Sequence, residues 1–358
     1  MSLQSSQSLP KGDVELVLAA KETKDLAQVQ GQEASPTNEE VRPAAYNIGP
    51  LNVEVARFKL RVSSSKLIAS SDYFKAMLDS SFREGTELKE KDFVTIELLE
   101  DDPLAMMIIL AILHGNHVQV PKKIDLPMLN KVAIIVDKYQ WHELITPHAT
   151  SYFDSLMNVH GPWKSFDKDL LIYLWIAWLF GMKDHFETLS KAAQHEATSS
   201  IDFTDERIRL PVRVLKAINE QRTIAFQKIE KTIANFKTQM LTVDNMKSQK
   251  LKQSKMLVSM VLGNAMFCSQ ELQLGDFALP DYAGSSVRLL REGIDVVQTA
   301  NGLMIKAKKE ADTSRYIQDG GRWDLNYKLE EAIKALNMDG WGLNFDDFKN
   351  ISGRILLV

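Results

Sequence analysis

F-K-L-R-V-S-S-S-K-L-I-A-S-S-D-Y-F-K-A-M-L (58–78) sets the plan of the N-terminal half, and F-V-T-I-E-L (93–98), H-G-N-H-V-Q-V-P (114–121) and V-D-K-Y-Q (136–140) continue it. Phe58, Leu60 and Val62 alternate with Lys59 and Arg61, the period of a half-buried strand. Ser70 and Ser71 can cap a helix with Tyr73, Phe74, Met77 and Leu78 on one side. Val94, Ile96 and Leu98 alternate with Thr95 and Glu97, a further strand. Upstream, the same alternation runs through Asp13-Val14-Glu15-Leu16-Val17-Leu18.

Between the first two strands lie residues Lys21 to Leu51, rich in Gln, Glu, Ala, Pro and Asn. A connection of that length between paired strands is unlike a compact turn. It predicts a mobile insertion, with a regulatory or docking loop as the alternative.

Asp102-Pro103 is a strong helix start, a capping Asp followed by Pro at the first helical position. That helix runs through M-M-I-I-L-A-I-L (106–113) and stops near Gly115. Apolar almost all round, it belongs at the centre of a core. Pro127 opens another helix, with Leu129, Val132, Ala133, Val136 and Tyr139 at helical spacing. Leu144 to Met157 continues helical, with Ala149, Tyr152, Phe153 and Leu156 inward. A small sheet covered by helices is an α+β layer arrangement.

The segments F-K-L-R-V-S-S-S-K-L, Y-F-K-A-M-L-D-S-S-F-R-E-G, L-H-G-N-H-V-Q-V-P and V-D-K-Y together resemble a BTB/POZ domain, from Asp13 to about Met157, and in detail its fungal branch. Many animal members carry His where this chain has Ser63, and the insertion departs from the compact animal domain. BTB domains are interaction modules, so the resemblance implies an adaptor with protein partners and not an enzyme. It implies self-association, with Asp13, Leu16 and Lys66 as contacts, and/or binding to a cullin ubiquitin-ligase scaffold. Cullin-binding members have a hydrophobic residue, any residue and Glu after the Tyr73 helix. Phe82-Arg83-Glu84 matches that pattern, with Tyr73 and Met77 on the same implied surface. The alternative is that Phe82 packs locally and Glu84 faces solvent. A scaffold or oligomerisation protein without a ubiquitin role is the second reading, and an enzyme of unrecognised kind the distant third.

The bulk properties agree with a globular protein. Of 358 residues, 45% are hydrophobic and the formal net charge is −4. That length allows two or more cores. The near-balanced charge offers no basic footprint for nucleic acid. Cys268 is the only cysteine, so an intrachain disulfide is excluded and a reducing, intracellular location, cytoplasmic and/or nuclear, is expected. Met1 to Lys11 has no apolar segment of the kind a signal peptide carries. L-I-Y-L-W-I-A-W-L-F-G-M (171–182) is far shorter than the roughly 20 residues a bilayer demands, so a buried helix and no membrane partner are expected.

No nucleophile elbow, phosphate-binding glycine loop or H-E-x-x-H occurs, and no cofactor is expected. His114 and His117 lack neighbouring ligands for a metal and suit a helix end capped by Gly115. Cys268 lies in an apolar helical stretch, the setting of an inert core thiol. Asp101-Asp102 suits a helix cap and Asp346-Asp347 a polar tail.

The remaining chain is expected to be mostly helical. Residues 1–12 are predicted disordered, 158–312 a helical region and 313–358 a loop with a short helical tail. Leu171, Leu174, Trp175 and Trp178 fall on one face of a helix within 163–203. L-W-I-A-W-L-F-G and R-L-P-V-R-V-L-K-A-I-N-E-Q-R also resemble the region after the BTB domain in fungal proteins. From Pro211, Leu215, Ile218, Arg222, Ala225, Ile229, Thr232, Phe236 and Met240 step in a heptad-like rhythm broken at Arg222 and Thr232. That predicts a long helix packed on its own domain, with a coiled-coil arm as the alternative. Lys247, Lys250, Lys252 and Lys255 form a loose basic run, a solvated face or a nuclear-localisation signal. Met256–Phe267 and Val287–Val297 are helical, 313–326 a loop and Tyr327–Leu336 a short helix. Trp341, Leu343, Phe345 and Phe348 are placed to dock the tail back, and a partner is expected to bind this helical half. No fixed-period repeat is present.

Overall fold

A computed structural model of the chain describes residues 12–19, 57–201, 208–243, 251–295 and 325–349. The insertion expected over 21–51, the N-terminus up to Lys11, residues 313–324 of the loop expected over 313–326 and the side chains of the basic run Lys247 to Lys255 lie outside the described residues, while Leu325 and Asn326 of that loop are helical. The chain divides into two compact units, residues 1–161 and 162–358.

In the first unit, β1 (Val14–Ala19) lies between β2 (Arg57–Val62) and β3 (Val94–Glu97). It is antiparallel to β2, with Leu16 opposite Leu60, and parallel to β3, with Leu16 opposite Ile96. This register buries Val14, Leu16, Leu18, Val62, Val94 and Ile96 on one face. The other face carries charge, and Lys59 Nζ meets Glu15 Oε1 at 3.0 Å while Arg57 reaches Glu97 at 3.7 Å. Gly12, expected to be disordered, is already buried against β2, where a Cβ would stand 2.5 Å from the backbone nitrogen of Val62. The close backbone approach admits no side chain.

Six helices follow: α1 (Ser64–Ser70), α2 (Asp72–Leu78), α3 (Arg83–Lys91), α4 (Pro103–His114), α5 (Leu126–Tyr139) and α6 (His142–His160). Asp102 caps α4 by accepting from the Ala105 amide at 2.9 Å, and Gly115 ends it at φ 72°. This helix packs against α1, β2, α5 and α6, the central place its composition predicts. Asp125 caps α5, which starts one residue before Pro127. The helix α6 extends past both expected ends, and Leu156 is only half buried.

The described residues of the second unit contain helices and no strand: α7 (Lys168–Leu179), α8 (Lys183–Glu196), α9 (Val212–Val243), α10 (Leu251–Glu271), α11 over 287–295, and α12 (Leu325–Leu336). The helical stretch expected over 163–203 is two helices, parted where Gly181 takes φ 67°. In α7 the buried residues are Leu170 and Tyr173 to Leu179, while Leu171 is half buried. A helix enclosed on nearly all sides has no single apolar stripe to read. In α9, Leu215, Ile218, Ala225, Ile229, Phe236 and Met240 are all buried, and Ile233 takes the place expected of Thr232. That seam is spent against α8, α10 and α12 of the same unit, which excludes its use as a free coiled-coil arm. The last helix starts at Leu325, two residues before Tyr327. In the described residues that follow it, Met338, Trp341 and Phe345 are buried in the unit. Among the described residues, no helix is long and apolar enough to cross a membrane.

Candidate interaction surface

The turn from α2 to α3 rests on an aromatic platform. Ser71 caps α2 by accepting from the Phe74 amide at 3.2 Å, and its hydroxyl donates to the Tyr139 carbonyl at 2.6 Å. Phe74 stacks on Trp141 with centroids 5.3 Å apart and lies 5.1 Å from Tyr139. The Trp141 indole N–H donates to Ser70 Oγ at 3.0 Å. Buried Asp101 accepts from the Tyr139 hydroxyl, and from Lys138 Nζ at 2.8 Å. Burial, with the Asp101 carboxylate second, pushes the Tyr139 phenol well above its ordinary value. Asp101 is therefore a buried anchor, while Asp102 alone serves as the cap expected of the pair.

Gly85 sets how closely α3 lies to this base. A Cβ there would stand 2.7 Å from the Ser80 carbonyl oxygen and 2.8 Å from that of Leu78. Ser80 Oγ accepts from the Phe82 amide at 3.2 Å, and the Phe82 carbonyl accepts from the Thr86 amide at 2.9 Å.

Phe82 is thus the N-cap residue of α3, with extended backbone and no side-chain cap. Its ring is 62% exposed, so it does not pack locally. Helix starts favour Ser, Thr, Asp or Asn, and the absence of such a cap costs about 1 kcal/mol. A large exposed apolar ring at this position breaks a local rule on a rigid frame, a pattern typical of functional sites. Glu84 lies half buried in the first turn, where the helix dipole favours a carboxylate. Tyr73 has one side on Phe74 and Tyr139, with centroids at 5.5 and 5.1 Å, and stays exposed on the other. Met77 is half buried on α2, which packs against α3. Arg83, Thr86, Glu87, Glu90 and Lys91 form an open, charged face along α3.

The three residues taken as self-association contacts fare differently. Leu16 is wholly inside the core and presents no surface. Asp13, just before β1, accepts from the Ser64 amide at 2.7 Å and from its hydroxyl, so that it caps the start of α1. Only Lys66 is exposed, with Nζ 3.4 Å from the Leu113 carbonyl.

His114 is held at the end of α4. Its Nδ1 pairs with the Leu110 carbonyl at 2.9 Å, and Nε2 accepts from the Ser63 amide at 3.3 Å. That pairing makes Nδ1 the protonated nitrogen. Among the described residues, no group of three or more His, Cys, Asp or Glu could hold a metal ion. Burial pushes the Cys268 thiol up to about 11.

Gly85, Ser71, Asp101, Tyr139 and Trp141 were not legible as parts of this surface. The lone glycine at the third position of R-E-G-T-E-L-K was the only local signal, since a glycine inside a helical pattern often marks close packing. Comparison of the chain with protein-family models, with curated proteins and with solved structures returns no match in any of the three.

Proposed function

We propose that this chain is a protein-interaction adaptor of BTB/POZ type, which binds a cullin ubiquitin-ligase scaffold through the α2–α3 surface and brings a second protein through its helical unit. The observation that carries this reading is the exposed ring of Phe82 at an uncapped helix start, beside Glu84 and above an aromatic base. A few large anchored side chains often dominate an interface, and an exposed ring on a preorganised turn has little order left to lose. The sheet order, the central α4 and the helices around it are compatible with the resemblance noted above. The reading is of a binding protein and not an enzyme, acting inside the cell.

The test is calorimetric titration of the full chain with the N-terminal domain of the BTB-associated cullin. Binding at micromolar strength or tighter is expected. Phe82→Ala should weaken it by about 2 kcal/mol, roughly thirtyfold, and Glu84→Lys should weaken it further. A folded wild-type chain that does not bind removes the ubiquitin role and leaves the scaffold reading. Self-association through Asp13 and Leu16 would then require exchange of β1 itself, because both are committed within the protomer.

A further inference from the structure

Residues 337–349 form an irregular strap on α7 and α8, made of two short 3-10 turns, Met338–Gly340 and Phe345–Phe348, joined through a bend at Gly342. Two rings anchor it. Phe345, 2% exposed, lies between Trp178 of α7 and Phe186 of α8, with centroids at 4.9 and 5.5 Å. Trp341, 5% exposed, meets the His195 ring edge-on at 5.0 Å.

Between these anchors the strap is read by its backbone. The Gly342 amide donates to Gln194 Oε1 at 3.1 Å, and the Leu343 amide donates to Ser190 Oγ at 2.8 Å. Ser190 and Gln194 are both buried and stand one turn apart on α8. The bend at Gly342 presents two consecutive amides to these buried acceptors on one helix. Gly342 has φ +123°, and a Cβ would stand 2.7 Å from Glu187 Cγ and 2.9 Å from the Glu187 carbonyl oxygen. Only glycine passes there without strain.

The rim carries basic groups beside the exposed Glu187. Lys183 Nζ meets Asp346 Oδ2 at 2.6 Å, and Lys191 Nζ donates to the Asp339 carbonyl at 2.5 Å. Arg213 stands over the Phe348 ring at 5.9 Å. The helices that form the groove also pack on each other, and α8 packs on α9, independently of the strap.

We propose that the α7–α8 groove is a peptide-recognition site that residues 341–348 occupy in cis, and that it takes in trans a peptide segment of the same pattern. That pattern is an aromatic residue, glycine, two spacers, an aromatic and an acidic residue, W-G-L-N-F-D in this chain. The strap closes the groove, and its release opens it. The proposal concerns the second unit and stands apart from the reading of the α2–α3 surface. A tethered ligand acts at an effective concentration of the order of millimolar, so a trans peptide binds the closed chain weakly.

The experiment uses the full chain, wild type and Gly342→Ala, with a fluorescein-labelled synthetic peptide of residues 337–349 followed by anisotropy. The substitution should unseat the strap and leave the groove intact. The peptide is expected to bind Gly342→Ala at least tenfold more tightly than wild type, and the added change Lys183→Glu should weaken that binding. Equal affinity for both chains, or no binding to a folded variant at about 1 mM peptide, overturns the proposal. Phe345→Ala is the second releasing variant. If neither variant folds, hydrogen exchange on the wild-type chain decides. Amides of 342–348 opening well before those of α8 support a releasable strap, and joint opening with α8 refutes it.

Discussion

Arg222 is 2% exposed and donates from Nη2 to the carbonyl of Tyr282 at 2.5 Å, across 60 positions of sequence. The same guanidinium reaches the carbonyls of Ser285 at 2.7 Å, Asp281 at 2.8 Å and Ala197 at 3.0 Å. Phe226, one turn along α9, lies under it and stacks on Tyr282 at 4.6 Å. Asp281 and Tyr282 both take φ 53°, a left-handed conformation uncommon outside glycine and least suited to the bulky Tyr282. The arginine that breaks the apolar seam of α9 therefore holds this turn in place.

Replacing Arg222 by Met removes the donor from the buried Ala197 carbonyl and from three partly buried carbonyls of the 281–285 turn. Each unsatisfied group costs about 1–3 kcal/mol, and shared relaxation reduces the sum. A net loss of about 3 kcal/mol is expected in urea unfolding. Arg222→Lys should recover little of it, because one ammonium cannot span the planar fork of contacts.

Phe82→Ser separates stability from binding. A serine at this N-cap can accept from the helix amides, so the variant should be more stable than wild type by about 1 kcal/mol. The same change should abolish the proposed cullin contact. Thermal unfolding beside calorimetry reads both, and a destabilised variant would mean that Phe82 packs after all.

At Gly85 two effects oppose each other. Helix propensity favours alanine over glycine by about 1 kcal/mol. The new Cβ, however, would press on two backbone oxygens that cannot give way cheaply. Overpacking costs about 1–3 kcal/mol, so Gly85→Ala should lower the unfolding midpoint and weaken binding at Phe82.

Burial chiefly holds His195 and His142 below their ordinary value of 6.5. Around His195, Lys191 and Arg291 lower it as well, while the Met338 carbonyl and Glu196 oppose. Asp137 opposes at His142. Both Nε2 atoms are buried without a hydrogen-bond partner among the described residues. Such a histidine stays neutral in the fold and takes its proton first in the unfolded chain. Its contribution is complete above about 6.5, declines as pH falls from there through the lowered folded value, and then levels off. Urea midpoints measured from pH 7.5 to 5 should show this decline, and His195→Phe should flatten part of it.

Cys268 should resist modification in the folded chain. Its thiol is buried and its pKa pushed up to about 11, so little thiolate forms at neutral pH. Reaction with a chromogenic disulfide at pH 7.5 should be slow in buffer and complete in denaturant, tracking unfolding.

The elements set by neighbours in sequence were the readable ones. The strands around Leu16, Leu60 and Ile96 showed in their alternation, and α4 in its Asp102-Pro103 start and Gly115 stop. The same local reading assigned Trp341 and Phe345 to a docking tail, and both are buried. It failed where burial has no periodicity. Leu171 looked inward by spacing, but in α7, enclosed on nearly all sides, it is Leu170 that is buried. At the candidate surface, spacing selected Phe82, Glu84, Tyr73 and Met77. It could not show that Phe82 is exposed, since that depends on how closely Gly85 lets α3 approach α2.

By itself the sequence determined a small sheet covered by helices followed by a helical half, because caps, breakers and side-chain periods act within a few residues. Tertiary structure alone decided that Asp13 caps α1, that Ser71 holds Tyr139 and that Arg222 gathers the 281–285 turn. Those partners lie 51, 68 and 60 positions apart, and no local pattern encodes a contact made only when the chain closes on itself.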